Sequence, residues 1–124
     1  MSSDEEFDTI VVGGGQAGLA AGYFLAQKRI RFTILDENQR SGETWRLRWD
    51  SLRLFTPCKF DGLPGMPLAK PDFYFPSKDE VADYLERYAN HFHLPLRSGL
   101  HVDKLTYNSN GFHIVTKKSN FLTQ

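Results

Sequence analysis

Three glycines near the start of the chain have a spacing that could hold a phosphate group. Gly13, Gly15 and Gly18 form the pattern G-x-G-x-x-G. Glycine permits a tight turn and lets the backbone approach a ligand closely, because it has no Cβ atom. A helix that begins within this pattern would stabilise phosphate charge through its free N–H groups and its dipole. Gln16 and Ala17, at the expected helix start, are therefore further candidate binding residues.

An acidic pair follows the glycines at a suitable distance. Asp36 and Glu37 come after a β-branched segment, with Asp36 at the expected strand end. A carboxylate at this point can accept hydrogen bonds from ribose hydroxyls and would repel a 2′-phosphate. The pattern therefore predicts a site for the ADP half of a dinucleotide and disfavours NADP there. It does not distinguish FAD from NAD, and a glycine-rich turn without a ligand is the alternative interpretation.

The elements that would position these residues can be predicted from the hydrophobic pattern. Residues 7–12 indicate a buried strand, residues 17–28 a helix, and residues 31–36 a second strand parallel to the first. Strand, glycine turn, helix and strand make a Rossmann-type βαβ unit. Gly22 should extend the small face with which this helix packs on the sheet.

The pattern in the remainder of the chain predicts a long loop, followed by a helix and several strands. Residues 37–77 show no periodicity, contain five prolines and are rich in aromatic residues, which favours a functional loop. Ser77 and Glu80 form a capping box at the start of a helix. Residues 94–97 predict a short strand, residues 101–107 and 111–117 a hairpin, and residues 121–123 another strand. We predict one α/β domain over residues 1–124, Rossmann-like, with a parallel sheet and a β-hairpin or meander.

Composition excludes several classes of function. The 15 Lys and Arg residues balance 15 Asp and Glu residues, so attraction to nucleic acid is not expected. No apolar run approaches the length of a membrane span, which is about 18 residues. The acidic opening, Met1–Glu6, does not resemble a secretory signal, and we expect a cytoplasmic protein. One cysteine, Cys58, cannot form a dithiol pair, so electron transfer would require a cofactor.

Several other residues are expected to have ordinary roles. His91 and His93 are spaced to point to different sides of a helix, and we predict no metal site. Cys58 is interpreted as a small buried apolar residue. Tyr84 and Tyr88 share a helix face with Val81 and should pack in the core. Arg46, Arg48 and Arg53 more often make solvent or capping contacts than bind phosphate, and Arg40 is a candidate near a cofactor.

Three later segments carry a family resemblance. Residues 40–45 read RSGETW, residues 50–57 read DSLRLFTP, and residues 75–85 read FPSKDEVADYL. Together with the glycine pattern they resemble the amino-terminal part of class B flavin-dependent monooxygenases, on the YUCCA-like and bacterial side of that family. Glu43 replaces a glycine that the family usually has, and Pro57 replaces an asparagine found in vertebrate members. The resemblance covers nearly the whole chain.

The resemblance implies a cofactor and roles for individual residues. It implies that the three glycines line the pyrophosphate of FAD, that Asp36 holds the ribose, and that Val102 reaches the adenine. Thr44, Trp45 and Thr56 are implied to lie on the flavin side. It also implies NADPH as co-substrate and oxygenation of a small organic molecule.

Other parts of the family pattern do not occur in these residues. The Ala-Thr-Gly segment, the second glycine pattern that binds NADPH, and the carboxy-terminal flavin segment are missing, so the NADPH-binding domain is expected to be absent. We therefore expect a fragment that is inactive alone. The alternatives are a fragment of an NAD-dependent dehydrogenase, and a truncated nucleotide-binding or interaction protein that could self-associate.

Overall fold

The computed structural model describes residues 4–123 and contains two β-sheets and three α-helices. The element bounds, in chain order, are β1 Glu5–Phe7, β2 Thr9–Val12, α1 Gln16–Gln27, β3 Phe32–Leu35, α2 Glu43–Arg46, a 3₁₀ helix Cys58–Phe60, α3 Lys78–His91, β4 Leu96–Arg97, β5 Val102–Asn108, β6 Gly111–Thr116 and β7 Asn120–Thr123. No helix within residues 4–123 is long and apolar enough to cross a membrane.

The βαβ unit predicted from the sequence is confirmed. Strands β2 and β3 pair in parallel, with Val11 opposite Ile34, and helix α1 connects them. Strand β4 adds to the far side of β3, also in parallel, so the order is β2-β3-β4. The predicted second and third strands and the first helix therefore lie within two residues of their expected bounds.

Strand β3 is the centre of the molecule because both of its faces are covered. Phe32 and Ile34 belong to a core that contains residues of α1 and α3, whereas Leu35 belongs to a second core with Phe121. Successive strand residues point to opposite faces, so this alternation places helices on one side and the other sheet on the opposite side. The buried Thr33 hydroxyl donates to the Pro95 carbonyl at 2.9 Å.

The prediction of one continuous strand over residues 7–12 is wrong in one respect, because the structure divides this segment at Asp8 into the end of β1 and the whole of β2. The Asp8 carboxylate accepts from the Arg31 amide at 3.3 Å, and the Asp8 amide donates to the Arg31 carbonyl at 2.9 Å. These bonds turn the chain, so β1 leaves the parallel sheet and pairs with β7. A polar residue in an otherwise apolar run was the signal for this division.

The second sheet has the order β1-β7-β6-β5. Strands β5 and β6 form the predicted antiparallel hairpin, with Asn108 opposite Gly111. The predicted last strand, β7, is confirmed as well and lies antiparallel to β6 and parallel to β1. An ion pair supports this arrangement, since the Arg97 guanidinium at β4 contacts the Glu5 carboxylate of β1 through two bonds of 2.6 and 2.7 Å.

The long segment between β3 and α3 is more ordered than its sequence predicts. It contains α2 and the 3₁₀ helix, and two tyrosines of α3 fix its later part. The Tyr84 hydroxyl accepts from the Leu63 amide at 2.7 Å and donates to the Met66 carbonyl at 2.5 Å. The Tyr88 hydroxyl donates to the Pro64 carbonyl at 2.6 Å. These contacts are long-range, so local periodicity could not reveal them.

Removing the Tyr84 hydroxyl should destabilise the protein. In Tyr84→Phe the Leu63 amide and the Met66 carbonyl lose their partner in a partly buried place, which costs roughly 1–3 kcal/mol. Urea unfolding followed by circular dichroism would measure the change. Tyr107→Phe is the control, because Tyr107 is 73% exposed and the loss of its hydroxyl should change the free energy of unfolding little. Equal midpoints for the two variants would contradict this role of Tyr84.

Helix α3 begins with the predicted capping box, and its glutamate should make stability depend on pH. Burial alone would raise the pKa of Glu80, but hydrogen bonds from Ser77, Tyr74 and Lys70 outweigh it and lower the pKa to about 2. A lowered folded-state pKa contributes stability above the unfolded value of 4.5, and this contribution disappears as the pH falls from 4.5 towards 2.

Glu80→Gln should therefore flatten the decline of stability over that pH range. Urea midpoints at several pH values between 4.5 and 2 would show this. Asp72→Asn, which removes an exposed carboxylate of the preceding segment, should retain the wild-type decline. A Glu80→Gln profile parallel to the wild-type profile would refute the assignment.

Candidate cofactor cleft

A cavity of about 430 Å³ lies where the carboxyl ends of β2 and β3 meet the amino end of α1. Ligands of parallel α/β sheets bind at this kind of position. Most of the site residues predicted above line this cavity, which we call the cleft. They are Gly13, Gly15, Gln16, Asp36, Glu37, Thr44, Trp45 and Val102.

The three glycines occupy positions with different physical requirements. Gly13 has φ +105°, a conformation that side chains rarely adopt, and it makes the turn out of β2. A Cβ atom on Gly18 would lie 2.0 Å from the Gly13 carbonyl oxygen, so only glycine permits this approach of helix and turn. A Cβ atom on Gly15 would meet no protein atom within 4 Å. The space beside Gly15 therefore opens into the cleft.

Gly14 is a further position of the turn where the geometry favours glycine, and the spacing did not reveal it. A Cβ atom there would lie 2.8 Å from the Asp36 Oδ2 atom and 2.9 Å from the Leu96 Cδ1 atom. Glycine at this position therefore lets the acidic residue lie directly beside the turn. The run of three consecutive glycines was the available signal, although the G-x-G-x-x-G pattern leaves its middle member free.

The amino end of α1 offers backbone donors to the cleft. Gly15 is the N-cap, and among residues 4–123 no side chain caps this end. The first N–H groups of a helix have no partner within the helix, and they carry the positive end of its dipole. The open space beside Gly15 and these donors together suit an anionic group.

Asp36 is fixed by bonds to three neighbouring segments. Its amide donates to the Arg97 carbonyl at 3.0 Å, and its carbonyl accepts from the Leu100 amide at 2.9 Å. Its Oδ1 atom accepts from the Asn38 amide at 3.3 Å. The residue is only 6% exposed, so its carboxylate is held against the glycine turn and does not move freely in solvent.

Another part of the cleft wall is formed by α2. The Trp45 indole N–H donates to the Gln16 side-chain oxygen at 3.2 Å, which links α2 to α1. Gly42, with φ +82°, allows α2 to start against α3, because a Cβ atom there would lie 2.7 Å from Ala82 backbone atoms. Thr44 accepts a weak bond of 3.5 Å from the Asn38 side chain.

The cleft is acidic. Asp36, Glu37 and Glu43 line it, and no Lys or Arg is among its described lining residues. His101 also lines it, with its ring nitrogens 3.6 Å from Glu37 and 3.0 Å from Asp103. An anion in this cleft would therefore depend on backbone N–H groups. The sequence analysis did not name His101 and Asn38 as site residues. The available signal for Asn38 was its place after the second predicted strand, and that for His101 was its place beside Val102.

Four predicted site residues are not among those that line the cleft: Ala17, Gly18, Arg40 and Thr56. Ala17 lies in the first turn of α1, and Gly18 packs on the turn as described above. The Arg40 guanidinium binds the Glu86 carboxylate of α3 at 2.8 and 3.0 Å, and this hydrogen-bonded pairing lowers the pKa of Glu86. Thr56 lines a neighbouring cavity.

The remaining candidates have packing roles. Cys58 is 4% exposed, and burial raises the pKa of its thiol, which confirms the prediction of a small buried apolar residue. Tyr84 and Tyr88 are buried in the core as predicted. The His91 ring packs edge-on against Phe92. No group of three potential metal ligands occurs in the part of the chain that the structure describes.

Comparison with known proteins places this geometry in a family. The family described as pyridine nucleotide-disulphide oxidoreductase matches residues 10–124. An uncharacterized CzcO-like oxidoreductase of Geobacillus kaustophilus is 44% identical over 94% of this chain and 34% of its own length. Indole-3-pyruvate monooxygenase YUCCA1 of Oryza sativa subsp. japonica is 34% identical over 81% of this chain and 25% of its own length. The chain thus spans about a third or less of these relatives.

Solved structures agree with the sequence relatives. A flavin-containing monooxygenase from Stenotrophomonas maltophilia has a TM-score of 0.88 and 30% identity over 96% of this chain and 36% of its own. The bacillithiol disulfide reductase of Staphylococcus aureus, at 20% identity and a TM-score of 0.86, shares the fold.

The family name refers to disulphide chemistry, which requires a pair of cysteines. These residues contain a single cysteine, Cys58, and it is buried. The predicted Rossmann-like α/β fold and the predicted relationship to flavin monooxygenases are both confirmed. This chain belongs to the pyridine nucleotide-disulphide oxidoreductase family, and flavin monooxygenases are among its relatives there.

Proposed function

We propose that residues 1–124 form the amino-terminal portion of the FAD-binding domain of an NADPH-dependent flavin monooxygenase that oxygenates a small organic substrate. The observation that carries this proposal is the open space beside Gly15, at an uncapped helix end in a cleft that is also lined by a fixed carboxylate, Asp36. An uncapped helix end suits a pyrophosphate, and a carboxylate at the end of the second strand of the unit suits a ribose. The relationship to flavin monooxygenases selects FAD over NAD.

The chain's residues fit FAD as follows. The turn at Gly13 and Gly15, with the first turn of α1 at Gln16 and Ala17, would hold the pyrophosphate. Asp36 and Glu37 would accept hydrogen bonds from the ribose, with Val102 beside the adenine, since all three residues line the cleft.

The flavin would lie beside α2. Thr44 and Trp45 line the cleft, and Thr56 lies in the adjoining cavity. Gly18 would act indirectly, by keeping helix and turn together. Arg40 would also act indirectly, through its bond to α3.

Bound flavin supplies redox and oxygen chemistry that side chains cannot perform. The chain's part is to bind and orient it and to exclude water. Trp45 is suited to the last task, since its indole is fixed by Gln16 at the wall of the cleft. No base or nucleophile is needed among these residues, and the NADPH-binding part would lie outside them. A cytoplasmic location and self-association of this chain remain predictions.

An FAD titration tests the proposal. We expect the absorbance spectrum of flavin to change with saturation when the chain is added, and Gly15→Ala to weaken this binding at least about tenfold. The added methyl group would enter space intended for pyrophosphate, yet it meets no protein atom within 4 Å, so thermal stability should change little. Gly18→Ala, in contrast, should destabilise the fold. Wild-type affinity in a folded Gly15→Ala variant would sink the assignment of the glycines, and binding of NAD alone would favour a dehydrogenase.

The ribose contact is tested separately. Asp36→Asn keeps an oxygen for the Asn38 amide but removes the charge, so FAD affinity should fall by about tenfold, corresponding to about 1.4 kcal/mol. Competition between FAD and ADP, measured by calorimetry, should show a parallel loss for ADP. Asp72→Asn is the control for removal of a carboxylate outside the cleft. Unaltered ADP affinity in Asp36→Asn would show that this carboxylate does not hold the ribose.

A further inference from the structure

Three exposed aromatic side chains line one shallow groove, which is formed by the long segment between β3 and α3. Trp49, Phe55 and Phe75 are 61%, 91% and 45% exposed, and the aliphatic residues Leu52 and Leu54 line the same groove. We call the surface formed by the three aromatic side chains the aromatic patch. Since a large aromatic side chain has about 150–250 Å² of surface, the three together expose roughly 400 Å². An exposed apolar patch of this size is often an interaction site.

Hydrogen bonds hold the backbone beneath the aromatic patch in place. The Leu54 amide donates to the Pro76 carbonyl at 2.9 Å, which attaches this part of the segment to the residues just before α3. The Arg53 guanidinium donates to the Phe75 carbonyl at 2.7 Å. The backbone that presents the aromatic side chains is therefore already ordered, so a partner that docks on them pays little entropy for ordering this segment.

Trp49 lies between two exposed side chains of opposite charge, Arg48 and Asp50. In the described part of the chain, neither of these two side chains has a hydrogen bond or an ion pair. In a two-fold arrangement that brings the Trp49 segments of two copies together in opposite directions, Arg48 of each copy meets Asp50 of the other. A second copy of this chain thus supplies both complementary charges. The 15 cationic residues of the chain balance its 15 acidic residues, so net charge does not oppose this association.

We propose that the aromatic patch joins two copies of this chain in a two-fold symmetric dimer, with reciprocal pairs of Arg48 and Asp50 at the rim. A standard interface covers about 800 Å² of each partner, and a little more than half of that area is apolar. The exposed aromatic surface of roughly 400 Å² matches this apolar share. Neither the rim residues nor the three aromatic residues are among the described lining residues of the cleft, so dimerisation and FAD binding can be tested separately.

Charge variants at the rim test whether the partner is a second copy. Analytical ultracentrifugation of the full chain over a concentration series should show a dimer with twice the mass of the 14.2 kDa chain. Arg48→Asp gives each rim two carboxylates, and Asp50→Arg gives each rim two guanidinium groups. Each variant alone should therefore dimerise at least about tenfold more weakly than the wild-type chain. An equimolar mixture of the two variants should regain the wild-type affinity, because a negative rim then meets a positive one.

Phe55→Ser tests the apolar part of the interface and should also weaken dimerisation at least about tenfold. Because Phe55 is 91% exposed, this variant should fold normally, which circular dichroism would verify. Tyr107→Ser, at an exposed aromatic residue of the second sheet, is the control and should dimerise like the wild-type chain. A wild-type chain that stays monomeric over the whole concentration series would overturn the proposal in favour of a different partner. Wild-type dimerisation of folded Phe55→Ser would overturn it as well, as would a mixture of the two charge variants that does not regain affinity.

Discussion

The close approach of α1 to the turn after β2 is the constraint on which the site depends. A side chain at Gly18 would place its first carbon 2.0 Å from the Gly13 carbonyl oxygen. Because no side chain intervenes, the amino end of α1 lies directly at the carboxyl end of the parallel sheet. The same approach brings the space beside Gly15 to the cleft and places Asp36 against Gly14. Backbone geometry thus creates the site before any functional side chain is considered.

The cleft combines acidic side chains with backbone donors, and this combination has a consequence for selectivity. Among its described lining residues are three carboxylates and no Lys or Arg, so an additional phosphate would gain no cationic partner there. A helix end stabilises anions over a short range, within its first turn. Only an anion seated directly at the glycine turn would therefore be favoured, and negative charge elsewhere in the cleft would be repelled.

The sequence predicted those features that depend on local spacing. The glycine turn, the parallel strands, the capping box of Ser77 and Glu80, and the hairpin follow from patterns within a few residues, and the structure contains them. The break at Asp8, the anchoring of the long segment by Tyr84, and the position of His101 in the cleft depend on partners more than twenty residues away. Such contacts have no periodicity, so the pattern does not identify the partner residues, although the polar Asp8 in an apolar run was a signal for the break itself. Gly14 was missed for a different reason, since its requirement comes from Asp36.

Pairing of β1 with β7 has a consequence for how the chain is made. Glu5 lies opposite Phe121, so nearly the whole chain separates the two strands. Closing so long a loop is entropically costly, and contacts of this kind slow folding. During synthesis β1 has no strand partner until residues 120–123 have been made, whereas β2, α1 and β3 can assemble early. The part of the molecule that contains the glycine turn can thus begin to form before β7 is available to the second sheet.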